Sequence, residues 1–260
     1  MFAALALSGL AVGLLVGLTG VGGGAVMTPI LVLLIGVSPV TAVGTDVVFA
    51  CVTKLFGAWV HGTSGSVDWQ VVRRLSLGSL PAAVVSVLCL HNFEQSQWVN
   101  QIIVYTLAGA LLLSGSIMLF RDKIHGAGRQ RRLAVPESFK RRQPELTVFA
   151  GVVLGTMVTL TSVGAGALGA AMLLFLYPLR LTPVKLVGTD IAHAIPLTLV
   201  AGAGHLALGN VDGGMLGPML AGSVPGIIAG SLLAKRLSAR RLRTGIALIL
   251  LALGARMLVA

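Results

Sequence analysis

Charged residues are scarce in this chain. They make up 10 % of its 260 residues, whereas soluble domains usually carry about 25 %. Acidic residues are scarcer still, with 8 Asp and Glu against 19 Lys and Arg, while hydrophobic residues reach 56 % and the mean hydropathy is +0.95. A soluble protein of this length could not bury so much apolar surface. The composition therefore excludes an ordinary soluble domain and predicts an all-α polytopic membrane protein, whose spans need roughly 20 apolar residues each.

Cysteine is nearly absent, which limits the metal binding and the thiol chemistry that the chain can perform. The two cysteines, Cys51 and Cys89, lie in apolar runs without CxxC spacing, so neither metal binding nor thiol redox chemistry is indicated. The sequence shows neither a zinc-ligand spacing nor a Ser-His-Asp set. We therefore expect no enzyme activity, no metal and no cofactor.

The excess of basic residues is confined to two stretches, 121–142 and 235–243, each between apolar runs. Lys and Arg in such positions are typical of cytoplasmic loops of membrane proteins. The net charge of +11 thus indicates a lipid bilayer as the surroundings of the chain and no nucleic-acid partner.

Ten apolar runs divide the chain into two membrane halves of five runs each. Residues 1–120 form the first membrane repeat, 121–145 a basic cytoplasmic linker, and 146–260 the second membrane repeat. The runs are roughly 1–18, 24–36, 40–60, 71–90, 98–120, 146–162, 164–178, 184–207, 213–234 and 243–259.

The two halves share a sequence pattern at an offset of 144 residues, since Gly44 corresponds to Gly188. A similar amino-acid composition of the two halves would not by itself place the same residues in one register over 20–81 and 164–225. The matched positions are Pro39-Val40 with Pro183-Val184, Gly44-Thr45-Asp46 with Gly188-Thr189-Asp190, His61 with His205, Val67-Asp68 with Val211-Asp212, and Gly78-Ser79-x-Pro81 with Gly222-Ser223-x-Pro225.

An odd number of spans in each half predicts opposite orientations of the two repeats. With the basic linker placed in the cytoplasm, the loops near 37–39, 91–97 and 208–213 fall outside and contain neither Lys nor Arg. Inverted-topology repeats are typical of secondary transporters, whose substrate sites lie near the membrane midplane. The topology therefore predicts transport.

A glycine cluster interrupts the first pair of runs at Gly20, Gly22, Gly23 and Gly24, and a weaker version follows in the second half at Gly164 and Gly166. Because glycine destabilises a helix by about 1 kcal/mol per residue relative to Ala, these segments predict short, broken helices. Their free N–H groups would bind an anionic substrate. The alternative is a tight turn, or glycines that allow close helix packing.

Two acids, Asp46 and Asp190, fall inside apolar spans. Acids at membrane depth are unfavourable and usually functional, so proton coupling is one interpretation. The other is structural, because an acid near a helix start is stabilised by the helix dipole and a neighbouring Thr can cap the helix.

Basic and imidazole side chains follow the acids on one helix face. Lys54 and His61 lie 8 and 15 residues after Asp46, near 80° and 60° at about 100° per residue. His193 and His205 follow the second acid at 3 and 15 residues. We assign Lys54 and His193 to the anion, and His61 and His205 to proton coupling. The alternatives are a snorkelling lysine and hydrogen-bonded histidines at helix ends.

These motifs resemble the sulfite exporter TauE/SafE family, also called the four-toluene sulfonate uptake permease family. The resemblance covers both halves outside the linker and implies a multi-pass transporter of the bacterial cell inner membrane for sulfite, sulfonates or related anions, often in the export direction. The residues that carry it are Gly20-Val21-Gly22-Gly23-Gly24 with Pro29, Ala42-Val43-Gly44-Thr45-Asp46, Val67-Asp68-Trp69 with Gly78-Ser79-Leu80-Pro81, Val187-Gly188-Thr189-Asp190, Gly204-His205-Leu206 and Gly209-Asn210-Val211-Asp212.

The sequence thus predicts an exporter of a small sulfur-containing anion, such as sulfite, thiosulfate or an organosulfonate, that works by alternating access with proton coupling. The main alternative is a non-transport membrane component of sulfur metabolism, either an assembly factor or an anchor. An intramembrane enzyme ranks last, and the sequence leaves a homo-oligomer open.

Overall fold

In the computed structural model the chain is described over residues 2–19, 24–61, 67–93, 97–234 and 239–259, and these ranges are helical without a β-strand. The first half consists of α1 to α5 and the second half of α6 to α10. Their bounds are α1 Phe2–Thr19, α2 Gly24–Ile30 with a π-helical turn at Leu31–Ile35, α3 Pro39–His61, α4 Trp69–Phe93, α5 Gln97–Ala134, α6 Pro136–Thr161, α7 Ala167–Leu176, α8 Pro183–Ala207, α9 Gly213–Ala234 and α10 Ala239–Val259.

The prediction of an all-α polytopic membrane protein is confirmed, and each of the ten apolar runs has a helix. Within the described ranges, seven helices are long and apolar enough to cross a membrane, namely α3, α4, α5, α6, α8, α9 and α10. Three apolar helical segments are shorter, at Phe2–Leu18, Ala25–Ile35 and Ala167–Leu176. The last two occupy corresponding positions in the two halves.

The basic segment 121–145 is almost entirely helical. α5 continues to Ala134 and α6 begins at Pro136, so the change of direction is confined to Val135, whose φ and ψ are −136° and 66°. Proline at the first position of α6 suits this arrangement, because its φ is already helical and it has no N–H to satisfy. The predicted linker is thus built from two helix ends.

The closest helix pairs join the two halves in matching ways. α1 packs along α9, and α4 packs along α6, which are corresponding pairs under the 144-residue offset. Glycines make both contacts possible: a Cβ on Gly13 would lie 2.7 Å from the Cα of Ser223, and a Cβ on Gly155 would lie 2.8 Å from the Cα of Ser79. Backbones that approach this closely need small residues at the contact, as in other membrane bundles.

The central helices α3 and α8 pack on each other, and each also holds a loop of the other half. The N–H of Asp212 donates to Thr45 Oγ1 over 3.0 Å, and the N–H of Asp68 donates to Thr189 Oγ1 over 2.9 Å. These contacts again correspond under the offset. The threonines of the two Gly-Thr-Asp motifs therefore join the halves.

A break separates α6 from α7. Ser162 ends α6 in the left-handed region with φ 58°, and Gly164 and Gly166 follow with φ 127° and 131°. Only glycine adopts the last two conformations readily. Two glycines of the weaker motif are therefore required by the backbone of this break.

Candidate functional site

The two intramembrane acids lie well inside their helices. Asp46 is the eighth residue of α3 and Asp190 the eighth of α8, and their exposed fractions are 0 % and 5 %. The cap of α8 is Thr182, whose hydroxyl accepts from the N–H of Lys185. The helix-start interpretation of these acids is therefore wrong, because the dipole effect is confined to the first turn.

A polar cluster at the contact between the halves contains the predicted cation. Lys54 of α3 is buried, with 7 % of its surface exposed, and interacts electrostatically with Asp190 and His193 of α8. The Nε2 of His193 shares a hydrogen bond of 2.8 Å with the Oγ of Ser79 on α4. We refer to these four residues, two from each half, as the Lys54 cluster.

The broken helix α7 begins beside this cluster. The N–H of Gly166, which caps α7, faces the Asp190 carboxylate. A Cβ on Gly169 would lie 2.6 Å from Asp190 Oδ1, so glycine at this position leaves room for the carboxylate. In this structure the Asp190 carboxylate lies beside the start of α7, and binding of an anionic substrate there stays a prediction.

Two members of this environment were not predicted from the sequence. Arg121 of α5 interacts electrostatically with Asp190, although the sequence assigned it to the linker. Ser79 was noted only as part of the repeated Gly-Ser-x-Pro pattern. The repeat itself could have identified Ser79, because a polar residue in the same place of two membrane spans usually has a partner.

Asp46 has different neighbours. The hydroxyl of Thr28 on α2 donates to Asp46 Oδ2, and the Ser162 hydroxyl at the end of α6 lies beside the same carboxylate. Lys54 shares a face of α3 with Asp46 on a helical wheel, yet in the structure its acidic partner is Asp190. We refer to Thr28, Asp46 and Ser162 as the Asp46 cluster.

The two predicted proton-coupling histidines lie near the ends of their helices. His205 is fully buried, and its Nε2 donates to the carbonyl of Thr159 on α6 over 2.9 Å. This contact is the hydrogen-bonded arrangement that the sequence left open as an alternative. His61 is the last residue of α3, and its side chain lies outside the described residues.

The predicted glycines of the first half fall mostly outside the described residues. Gly20, Gly22 and Gly23 are in this group, and Gly24 begins α2. In the second half, the carbonyl of Gly164 accepts from the N–H of Gly169 over 3.0 Å and so closes the first turn of α7. Both Gly164 and Gly166 thus shape the break next to the Lys54 cluster.

The Lys54 cluster contains the chemical groups that anion binding requires. A buried ammonium group, the N–H groups at the start of α7 and the Ser79–His193 pair offer positive charge and hydrogen-bond donors within the membrane region. Asp190 balances this charge in the structure. A small oxyanion that displaced the carboxylate would find the same partners.

Comparison with known proteins gives consistent results. The family described as "Sulfite exporter TauE/SafE" matches residues 5–257. The chain is 38 % identical over 259 residues to "Probable membrane transporter protein YjnA" of Bacillus subtilis (strain 168), covering 99 % of this chain and 100 % of that protein. It is 26 % identical over 220 residues to "Probable membrane transporter protein YdhB" of the same organism, covering 84 % of each.

No solved structure matches the chain significantly. The family match extends over nearly all ten helices and includes both predicted repeats. Together with the full-length similarity to a named membrane transporter, it shows that this chain belongs to the sulfite exporter TauE/SafE family of membrane transporters.

Proposed function

We propose that this protein is a secondary transporter of the bacterial cell inner membrane that exports a small sulfur-containing anion, such as sulfite, thiosulfate or an organosulfonate. The observation that carries the proposal is the buried Lys54, which faces residues of the other half. A buried ammonium inside an apolar bundle is unfavourable unless it is paired. A cation kept at such a position suits the binding of an anion.

The way in which the two halves meet supports alternating access. The matching contacts α1 with α9 and α4 with α6 support a pseudo-symmetric pair of inverted repeats, and the Lys54 cluster draws two residues from each half. In transporters of this kind one repeat moves against the other around a central site. Movement between the halves would open the cluster to one side of the membrane at a time.

Competition between the Asp190 carboxylate and the substrate anion supports proton coupling at Asp190. The ionised carboxylate and the substrate anion need the same partners, which are Lys54 and the start of α7. Protonation of Asp190 would release both for the anion. Arg121 acts electrostatically on Asp190 and Lys54 on His193, and His193 would hold the substrate by exchanging its Ser79 partner for the anion.

Transport in proteoliposomes tests the function. We would load labelled sulfite, thiosulfate, taurine or acetate, impose a pH gradient and measure efflux. We expect efflux of one or more sulfur anions to exceed that of acetate by at least about tenfold, which corresponds to about 1.4 kcal/mol of discrimination. If none of the labelled sulfur anions moves, a non-transport role in sulfur metabolism gains support.

Asp190→Asn tests the coupling separately. The variant keeps the size of the side chain but cannot ionise, so its affinity for the anion should no longer depend on pH, while the wild type should bind more tightly as the pH falls. Asp68→Asn, which removes the charge of a loop ion pair with Arg180, serves as a control and should keep the wild-type pH profile. An unchanged profile in Asp190→Asn would rule out this residue as the coupling group.

A further inference from the structure

The carboxylate of Asp46 is buried without a cationic side chain beside it. Its exposed fraction is 0 %, and among the described residues Lys54 and Arg121 act on Asp190, whereas no cation acts on Asp46. A buried carboxylate is strongly unfavourable unless a positive charge compensates it. The structure therefore contains a negative centre that requires either a proton or a bound cation.

Open oxygen atoms surround this centre. Thr28 satisfies Oδ2 of Asp46, whereas neither Oδ1 of Asp46 nor Oγ of Ser162 has a hydrogen-bond partner, although both atoms are buried. The exposed fraction of Ser162 is 7 %. Buried polar atoms normally find partners, so two such atoms on neighbouring side chains indicate a ligand.

The end of α6 adds negative potential at the same place. Ser162 caps the C-terminus of α6, where the carbonyl groups of the last turn carry the negative end of the helix dipole. A carboxylate, two hydroxyl groups and a helix C-terminus form an environment of hard oxygen ligands. In membrane transporters, broken-helix C-termini bind cations in this manner.

We propose that Asp46, Thr28, Ser162 and the C-terminal end of α6 bind a monovalent metal cation, Na⁺. The single carboxylate matches a single positive charge, so a divalent ion would leave an uncompensated charge in the apolar interior. The described residues contain no cluster of three or more His, Cys, Asp or Glu side chains, and hydroxyl and carboxylate oxygens suit hard cations.

A proton and a metal cation would act differently on these oxygens. A proton on Asp46 would join the carboxyl to one neighbouring acceptor, either Ser162 Oγ or Thr28 Oγ1. A cation between Asp46 Oδ1 and Ser162 Oγ would bind both at once. It would also tie α2 of the first half to the α6–α7 break of the second half, next to the Lys54 cluster.

Thermal unfolding of the purified, detergent-solubilised protein tests this site without any substrate. Between roughly 1 mM and roughly 100 mM NaCl, with choline chloride holding the ionic strength constant, we expect Tm to rise by about 5 °C, because a ligand that binds only the folded state stabilises it. KCl in place of NaCl should give a smaller rise. Equal Tm values in NaCl and choline chloride would overturn the proposal.

Variants locate the effect. Asp46→Asn removes the charge, and Ser162→Gly removes a hydroxyl while it relieves the left-handed φ of 58°, so the latter should fold even if the former does not. Both should lose the response to Na⁺. Thr53→Val, which removes a buried hydroxyl that donates to the Ala50 carbonyl on its own helix, should keep it.

A wild-type Na⁺ response in Ser162→Gly would overturn the proposal, and so would a Tm that depends on pH but not on Na⁺. The measurement is independent of the proposed transport function. Absence of anion efflux with an intact Na⁺ response would contradict only the transport proposal, and the reverse result would contradict only the cation site.

Discussion

Lys54 illustrates what a single sequence reveals at the scale of one residue. A lysine inside an apolar span can be predicted to have a function from its position alone, because charges at membrane depth are unfavourable. Its acidic partner was not recognisable. Lys54 shares a helix face with Asp46, whereas the acid that acts on it is Asp190 of α8, a helix that packs against α3. Periodicity describes one helix, and the partner of Lys54 depends on how two helices pack.

Removal of Lys54 should therefore affect Asp190. We expect Lys54→Met to weaken anion binding at least about tenfold more than Lys54→Arg and to lower Tm, since the buried Asp190 carboxylate would lose one of the positive charges that compensate it. Adding Asp190→Asn should restore Tm but not anion affinity, in a double-mutant cycle that measures both.

The matched control is the double variant Lys54→Met with Asp46→Asn, which should show no recovery of Tm. Recovery with Asp46→Asn instead would show that Asp46 is the acid that Lys54 compensates. Full transport by Lys54→Met alone, at normal expression, would exclude Lys54 from the substrate site.

At the scale of helices, the sequence predicted the number and positions of the apolar segments well, and the contacts between them poorly. Ten runs became ten helices because hydropathy and length decide whether a segment is stable in a bilayer. The long glycine faces of α1 and α6 were not recognised as contact surfaces. Small residues permit another helix to approach closely. Which helix does so depends on how all the helices pack together.

Bulky substitutions on these glycine faces should damage both matching contacts alike. Gly13→Leu and Gly155→Leu each place a side chain against backbone atoms of the neighbouring helix. We expect each to destabilise the protein by more than about 3 kcal/mol, at or above the upper end of the usual overpacking range, as a loss of Tm or of folded protein. Gly109→Leu, at a position with open space around it, should change Tm little.

The break before α7 allows a sharper test of the discontinuous helix. Gly166→Ala should abolish transport while the protein still inserts, because alanine does not tolerate φ of 131° and the start of α7 would shift away from the anion. Gly36→Ala is the matched control, since its φ of 77° is also positive but its surroundings are open. Comparable efflux from Gly166→Ala and Gly36→Ala would show that the break only connects α6 to α7.

In the first half, the corresponding prediction concerns the glycine cluster at 20–24. Gly22→Leu or Gly23→Leu should abolish anion efflux at normal expression, because a large side chain would block the approach of the anion to the backbone. Efflux from reconstituted variants measures this. Normal efflux from both would show that the cluster serves only as a turn.

At the scale of the whole molecule, the odd number of segments in each half predicts that both chain ends lie on the periplasmic side. A reporter fused after Ala260 that works only outside the cytoplasm should be active, and a reporter that works only in the cytoplasm should be silent. Fusions after Ala134 should give the opposite result. Cytoplasmic activity after Ala260 would contradict the inverted arrangement.

The pairing of α1 with α9 also determines the order in which the molecule can be completed. α1 ends at Thr19 and α9 begins at Gly213, so at about 5–20 residues per second the ribosome needs roughly 10 to 40 s to supply the partner of α1. During this interval the glycine face of α1 meets lipid or another nascent segment. The partner of α4, which is α6, follows sooner along the chain, so the α4–α6 contact can form before the α1–α9 contact.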